Sequence, residues 1–277
     1  AINWFESAYG YPGLDLDPKN SNILKKDCLN NILELKIISC IFIRPSISNL
    51  LDNTLCNILL ENQFIFSNSS NDIFYIDKKQ VENIDTEQII AKKRLSKIRK
   101  SQRLNHLVSK SAKVLIYEGL WPQITNLYRN SMSRKNAKKF YYFDDLWIFP
   151  TIFLHIHSKF YLTIDKNNNL ITGFLVVVGS KEKSIFLSAS DIQGRKTDSL
   201  SLLRFAAIND FFEDPNAEYL NMGGVNKKLG GDESFKRSFG GKRLKYKIIY
   251  KLNKQLYSHY LKSFNLIHNE SNIRFWL

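Results

Sequence analysis

The chain has 277 residues, 44% of them hydrophobic and 13% aromatic, which is enough to bury a large core. Its most apolar stretch, residues 32–45, contains Glu34 and Lys36, which excludes a membrane span of about 18 uninterrupted apolar residues and predicts a soluble protein. Forty Lys and Arg against 26 Asp and Glu give a formal net charge of +14, which favours anionic partners.

The three cysteines are Cys28, Cys40 and Cys56. They show no CxxC spacing and have no histidine at zinc-ligand spacing, so we predict no metal site. An odd number of cysteines is simplest to reconcile with a reducing compartment, and we expect a cytoplasmic protein.

The first element in chain order is a glycine- and proline-containing bend, "SAYGYPGLDLD", at residues 7–17. A bend of this kind usually follows other structure. No initiator Met or signal sequence precedes it. We therefore expect the sequence to be a fragment whose first elements are missing.

Residues 1–110 have the pattern of the remainder of an N-terminal α/β domain. Apolar residues at helical spacing predict a helix over 22–36, and a buried strand ends at Pro45. Residues 62–77 combine two β-rich runs around a Ser/Asn turn, which predicts a hairpin. A basic helix is predicted at about 86–105.

Residues 111–277 are predicted to form a second, C-terminal domain. Its first helix, 120–135, has Ile124, Leu127, Tyr128 and Met132 on one face. An aromatic helix at 143–156 is bent near Pro150. The remaining elements are predicted from alternation, capping residues and glycine stops. They are strands at 112–118, 159–165, 170–179, 184–191, 217–224 and 242–252, and helices at 197–212 and 232–241.

Positive charge is concentrated in two segments, 91–113 with nine basic residues and no acidic one, and 227–254 with ten. In the first, Ala91, Leu95 and Ile98 share a narrow face of a helical wheel, and the cations fan around the rest. This surface attracts the phosphates of a nucleic acid, a nucleotide or a lipid head group. The alternative is an ordinary solvated helix. The cations are Lys92, Lys93, Lys97, Arg99, Lys100 and Arg103.

Five motifs, in order along the chain, resemble the Fem-like branch of the GNAT acyltransferase superfamily, which includes BioF2-like relatives. Two are long: "LYRNSMSRKNAKKFYYF" at 127–143 and "LNMGGVNKKLGGDESFKRSFGG" at 220–241. The other three are "SAYGYPG", "FIRPS" and "KKRLSKIRKSQRLN". Their shared order and spacing make the resemblance specific. In this family several elements precede the "YGYPG" loop, which agrees with a missing front.

The resemblance implies an α/β fold of tandem GNAT-like domains, with mixed central sheets flanked by helices and the first domain truncated. It implies transfer of an aminoacyl or acyl group onto an amine of a cell-wall or surface-polysaccharide precursor, including peptidoglycan. The donor, aminoacyl-tRNA or acyl-CoA, is a co-substrate, and no cofactor is bound permanently. Implied partners are a small or lipid-linked acceptor, tRNA, and transient contact with the inner face of a membrane.

The donor is argued from the segment between the predicted strand 184–191 and the following helix. A coenzyme A enzyme of the superfamily carries Q/R-x-x-G-x-G/A there, whose N–H groups hold the pyrophosphate. This sequence has only Gly194 in "SDIQGRKTDSLSLL". That departure favours aminoacyl-tRNA, with an acyl-CoA-dependent transferase acting on an amino sugar as the alternative.

The candidate catalytic residues are Lys236 and Asp232, four apart on one side of a short helix. Amine attack on an ester or thioester needs a base for the proton and a cation for the oxyanion. The lysine of the family's "FK..F" motif implies that Lys236 is this cation. The alternative is an ordinary i, i+4 ion pair with Asp232.

The candidate substrate-binding residues include Gly223 and Gly224, where missing side chains let the donor approach the backbone. Arg134 pairs well with a diphosphate, and the tyrosines offer stacking faces and hydroxyls for a sugar. For each there is an alternative: a turn, core packing or a solvated side chain. The full set is Tyr11, Arg44, Arg134, Tyr141, Tyr142, Gly223, Gly224 and Arg237.

Two other classes of protein stay open at this point. The pI of about 9.5 suits a non-catalytic basic module that binds tRNA or other nucleic acid, although no known sequence-reading motif is present. A degenerate transferase half that serves as a scaffold is the other. No Ser-His-Asp or Cys-His set is apparent, and His155 and His157 lack a partner at metal-ligand spacing.

Overall fold

A computed structural model of the chain describes most of the residues between 64 and 252 and short segments before them. The described ranges are 3–6, 38–43, 47–52, 54–61, 64–81, 85–137, 158–165, 170–179, 181–224 and 231–252. The chain divides into two compact units, residues 1–72 with 245–277, and residues 73–244, which we call the central unit. This division differs from the boundary predicted after residue 110, because residues 73–110 pack with elements of 111–244.

The first unit contains a strand pair and two short helices. Strand β1 (Asn3–Glu6) pairs in parallel with β2 (Ile38–Ile43), which confirms the predicted strand before Pro45. Residues 249–252 of a later strand run antiparallel to β2. Helices α1 (Ile47–Asp52) and α2 (Thr54–Glu61) follow. The predicted helix at 22–36 lies outside the described residues.

The predicted hairpin at 62–77 is wrong, because the segment forms one strand, β3 (Ile65–Asp77). The Ser/Asn run in its middle contains neither glycine nor proline. Ser and Asn favour turns but do not impose one, and tertiary pairing overrides that preference. Residues 73–77 pair antiparallel with a strand of the central unit.

The basic segment forms two helices, α3 (Thr86–Ile89) and α4 (Lys92–Leu104), and not one continuous helix. Ile90 and Ala91 between them have extended backbone, with ψ of 132° and 135°. Ile90 is buried in the core, and the Ala91 N–H donates to the Ser238 carbonyl at 2.9 Å. These contacts fix the break.

The strand predicted at 112–118 is also wrong, because it is the helix α5 (Ala112–Tyr117). The Ser111 hydroxyl accepts a hydrogen bond from the Val114 N–H and caps the helix. Ala112 and Leu115, three residues apart, are its buried positions. The strand of this region comes earlier, as β4 (His106–Lys110), which the sequence analysis missed.

The amphipathic helix α6 (Trp121–Arg134) is confirmed, including its buried face. Ile124, Leu127, Tyr128 and Met132 are each less than 10% exposed. The predicted aromatic helix at 143–156, with His155, lies outside the described part of the chain.

The three strands predicted next are confirmed as β5 (Ser158–Ile164), β6 (Ile171–Val178) and β7 (Glu182–Ser190). They form an antiparallel ladder with β4 at its edge. Strand β8 (Tyr219–Gly224), also as predicted, joins β7 in parallel. The fold class is therefore mixed α/β, with a mixed sheet flanked by helices.

The helices that frame the site follow β7 and β8. They are α7 (Ile192–Lys196), α8 (Ser199–Glu213) and α9 (Gly231–Arg237). Helix α8 was predicted to begin with capping residues, but Asp198 lies in the left-handed region (φ 55°) and makes no side-chain cap. The Thr197 hydroxyl instead donates to the Gln193 carbonyl of α7. The final predicted strand is β9 (Lys242–Leu252).

Two apolar cores cover the two faces of the central sheet. One includes Ile98 of α4 and Leu203 and Phe211 of α8, and the other includes Leu115 of α5 and Leu127 of α6. None of the described helices is long and apolar enough to cross a bilayer.

The parallel ladder between β7 and β8 is short. It joins Glu182–Ser184 to Tyr219–Asn221, and the following residues of the two strands, 185–190 and 222–224, are not part of it. The sheet is open beyond this point, where α8 and α9 begin.

Candidate functional site

A cavity of about 390 Å³ lies in the central unit beyond the end of the short ladder. Its walls come from β6, β7, α7, α8, α9 and the residue after α6. Three basic side chains, Lys135, Arg195 and Arg204, face two acidic ones, Asp198 and Asp232. Serine hydroxyls and the Phe235 ring complete the lining, so the cavity suits a polar, anionic ligand.

Arg204 is the most unusual residue of the cavity wall. It comes from α8, is only 7% exposed, and two of its three guanidinium nitrogens, Nε and Nη1, have no hydrogen-bond partner among the described residues. Burial lowers the pKa of Arg204 to about 10, while Asp232 opposes the shift and Arg94 adds to it. The group is still a cation at neutral pH, so a buried positive charge has N–H donors to offer a ligand.

Phe235 lies against two guanidinium groups. Arg94 of α4 is 4.4 Å from the ring centroid, and Arg204 is 4.9 Å from it. Arg94 is fixed by hydrogen bonds of 3.0 Å to the Ser201 and Ser238 hydroxyls. The aromatic ring and these bonds hold both cations in place.

Four predicted residues come together at the start of α9. The Lys236 ammonium donates to the Gly224 carbonyl and lies 3.4 Å from a carboxylate oxygen of Asp232. A Cβ placed on Gly223 would be 3.7 Å from Lys236 Nζ. Asp232 lines the cavity, whereas Lys236 lies behind it, 4% exposed.

The environment of Lys236 changes its protonation. Burial lowers the pKa of Lys236 to about 8, against the opposing effect of Asp232 and with a further lowering by Arg204. The ammonium is therefore mostly charged at pH 7 and loses its proton in the mildly alkaline range. The i, i+4 contact with Asp232 is the ion pair that was the alternative interpretation of this lysine.

The other candidate residues are placed apart from this group or are not described. Arg134 donates to the Ser190 carbonyl (3.3 Å) and the Ser131 hydroxyl (3.2 Å) near the cavity edge. Arg237 pairs with Glu233 at 2.9 Å and lies 5.4 Å from the Phe74 ring centroid. Both roles in substrate binding stay predictions. Tyr11, Arg44, Tyr141 and Tyr142 lie outside the described residues.

Arg204 and Arg94 were not among the predicted site residues. The signal for Arg204 was present in "SLLRFAAI", where a single charge interrupts an apolar helical run. For Arg94, helical spacing puts it beside the buried Ile98 and apart from the solvent-facing cations. Neither signal specifies that the two guanidinium groups meet at one ring.

The segment predicted to decide the donor is also defined. The Asp191 carboxylate accepts a hydrogen bond from the Gly194 N–H at 2.6 Å and caps α7. A Cβ on Gly194 would be 2.2 Å from the Thr172 carbonyl oxygen, so this glycine serves close packing of α7 on β6. The N–H is thus taken by an acid where a pyrophosphate-binding loop would leave it available.

Comparison with solved structures shows a shared fold. FemX is similar with a TM-score of 0.65 at 10% identity, over 93% of this chain and 82% of FemX. The C-terminal domain of a predicted lysylphosphatidylglycerol synthetase from Agrobacterium fabrum has a TM-score of 0.56 at 11% identity, over 83% and 74%. A conserved protein of unknown function from Bacteroides thetaiotaomicron has a TM-score of 0.50 at 13% identity, over 84% and 77%.

The sequence itself matches no family model, and no curated protein matches it. The structural neighbours support the predicted GNAT-like fold. Identities of 10% to 13% carry the fold alone.

Proposed function

We propose that this protein is an N-acyltransferase that moves an aminoacyl group from aminoacyl-tRNA onto an amine of a cell-envelope precursor. The observation that carries the proposal is the buried, unpartnered guanidinium of Arg204 in a cavity that also presents the Asp232 carboxylate. A cation with available N–H groups and a base are the two requirements of amine attack on an ester.

The proposed reaction starts with proton removal. The acceptor enters as an ammonium group, and Asp232 accepts one proton from it. The free amine then forms a bond to the carbonyl carbon of the aminoacyl ester. The carbonyl oxygen becomes an oxyanion, which the N–H groups of Arg204 stabilise. The tetrahedral intermediate breaks its bond to the ribose oxygen, which takes the proton back from Asp232.

Lys236 acts in this account as a positioning residue. Its ammonium, 3.4 Å from the Asp232 carboxylate and bonded to Gly224, holds that carboxylate on the cavity wall. Direct contact of Lys236 with the donor carbonyl, as the family motif implies, stays a prediction.

Three observations support aminoacyl-tRNA over acyl-CoA as the donor. The Gly194 N–H is bonded to Asp191. That carboxylate would repel a pyrophosphate at this place. FemX and the lysylphosphatidylglycerol synthetase domain share the fold, and the cationic helix α4 borders the cavity.

The experiment is a transfer assay with radiolabelled aminoacyl-tRNA or acetyl-CoA and an extract of nucleotide-linked and lipid-linked envelope precursors. We expect label to move from aminoacyl-tRNA to the precursor fraction. Asp232→Asn should lower the rate at least 100-fold, since general bases contribute about 10²–10⁴-fold. The matched control is Glu233→Gln, on the same helix and exposed, which should stay within twofold of the wild type.

Transfer from acetyl-CoA alone would replace the donor in this account. Equal rates for Asp232→Asn and Glu233→Gln would remove Asp232 from the reaction. Binding of tRNA without transfer to any precursor would favour the non-catalytic module.

A further inference from the structure

Helix α4 presents its exposed cations on two sides. Lys93, Lys97 and Lys100, at i, i+4 and i+7, form one stripe along the helix, which we call the cavity-side stripe. Lys92, Arg99 and Arg103 lie on the side opposite the buried residues, and we call them the outer set. The helix packs through Ile98 and Ser101, both 1% exposed or less.

Contacts show which side faces the cavity. Lys97 Nζ lies 3.5 Å from a carboxylate oxygen of Asp198, and Asp198 lines the cavity. Arg94 reaches the hydroxyl of Ser201, another lining residue. The outer set is directed elsewhere, since Arg99 pairs with Glu87 of α3 at 2.8 Å.

The charge at the beginning of α4 works against the stability of the helix. Its first turn holds Lys92, Lys93 and Arg94 and no acidic residue, and Ala91 at the N-cap makes no side-chain hydrogen bond. Cations at the positive end of a helix dipole each cost about 0.3–1 kcal/mol, and a missing cap costs about 1 kcal/mol more. Such an arrangement is more readily explained by a negatively charged partner than by folding.

We propose that the cavity-side stripe binds the phosphodiester backbone of an RNA strand whose acylated end lies in the cavity. This inference rests on the proposed function, because it places the donor RNA on the protein. From Lys93 to Lys100 the helix advances about 10 Å. That length matches the rise of about three nucleotides in a nucleic-acid strand.

The stripe suits a strand that enters the cavity better than it suits a membrane. A flat anionic surface would contact the side of α4 farthest from the core, which is the outer set. A strand directed into the cavity would contact the side that borders Asp198. The two partners therefore predict opposite sensitivities for two sets of three cations.

The experiment compares two triple variants with the same change in charge. They are Lys93→Gln with Lys97→Gln and Lys100→Gln, and Lys92→Gln with Arg99→Gln and Arg103→Gln. The probes are deacylated bulk tRNA, a 12-nucleotide single-stranded RNA that ends in CCA, and vesicles with 30% anionic lipid. Affinities of the full chain are measured over a range of salt concentrations.

We expect the stripe variant to lose at least tenfold in affinity for both RNAs and the outer variant to lose less than threefold. The slope of log affinity against log salt should fall by about two for the stripe variant, since each contact to a single strand contributes about 0.7. If the triple stripe variant does not fold, Lys93→Gln with Lys100→Gln leaves the Lys97–Asp198 pair intact and tests the same surface.

Equal losses in the two triple variants would overturn the inference, as would vesicle binding that depends on the outer set without RNA binding. The transfer assay separates this inference from the proposed function. Stripe-dependent RNA binding without transfer would leave the surface and remove the enzyme. Transfer that ignores the stripe variant would leave the enzyme and remove the surface.

Discussion

At the scale of single residues, the site consists of cations that are buried next to one carboxylate and one aromatic ring. Arg204 and Lys236 both have a lowered pKa because burial disfavours their charged forms, and Asp232 opposes the shift in each case. Folding alone would gain little from two such groups, because buried charges are costly unless they are fully paired. We therefore interpret them as functional.

The Lys236 pKa predicts a pH dependence of stability. Because the folded pKa, about 8, is below the ordinary value of 10.5, the unfolded chain binds more protons between those values. The free energy of unfolding should therefore rise with pH above about 8, by up to about 1.4 kcal/mol per pH unit. Below pH 8 the cost of burying the charge is constant.

The measurement is urea unfolding of the wild type and Lys236→Met between pH 7 and 10. The difference between the two removes the groups that both proteins share. The wild type should gain on the variant as the pH rises above 8. A flat difference across this range would mean that Lys236 keeps an ordinary pKa.

At the scale of secondary-structure elements, patterns of apolar spacing were reliable and turn preferences were not. The buried face of α6 and the strands β5 to β7 followed directly from spacing and alternation. The Ser/Asn run in β3 and the β-rich run in α5 were misread, because sheet pairing in one case and a Ser111 cap in the other decided the outcome. Local preference is weaker than either.

Helix α4 offers a prediction at this scale. Ala91 occupies the N-cap position with non-helical backbone and no side-chain cap. Ala91→Ser should stabilise the protein by about 1 kcal/mol, because the hydroxyl can accept a hydrogen bond from an N–H of the first turn. Urea unfolding at neutral pH checks this.

RNA affinity is the second readout of Ala91→Ser, since the serine adds no charge and should leave binding unchanged. Lower stability in the variant would show that the start of α4 has another partner that the alanine accommodates.

At the scale of the whole molecule, the fold could be predicted from motif order, and part of the site could not. The glycines of β8 and the Asp232–Lys236 pair are local in sequence, so one motif predicted that they lie together. Arg94, Arg204 and Phe235 are each separated by at least 31 residues, and only the packing of α4, α8 and α9 brings them to one ring. Such a contact leaves no spacing pattern to read.

The central claim is that Arg204 recognises the acyl carbonyl of an RNA-linked donor. The most direct test is equilibrium binding of two RNAs that end in CCA, one carrying a hydrolysis-resistant 3′-amide-linked amino acid and the other unmodified. The proteins are the wild type, Arg204→Met, and the control Lys110→Met, whose ion pair with Glu118 lies outside the cavity.

The account predicts that the wild type and the control bind the acylated RNA about tenfold more tightly, as expected for a hydrogen bond to a charged group. Arg204→Met should bind both RNAs equally and unfold within about 1 kcal/mol of the wild type, because the arginine is a poor contributor to stability. Equal affinity of the wild type for the two RNAs, or a preference that survives Arg204→Met, would contradict it.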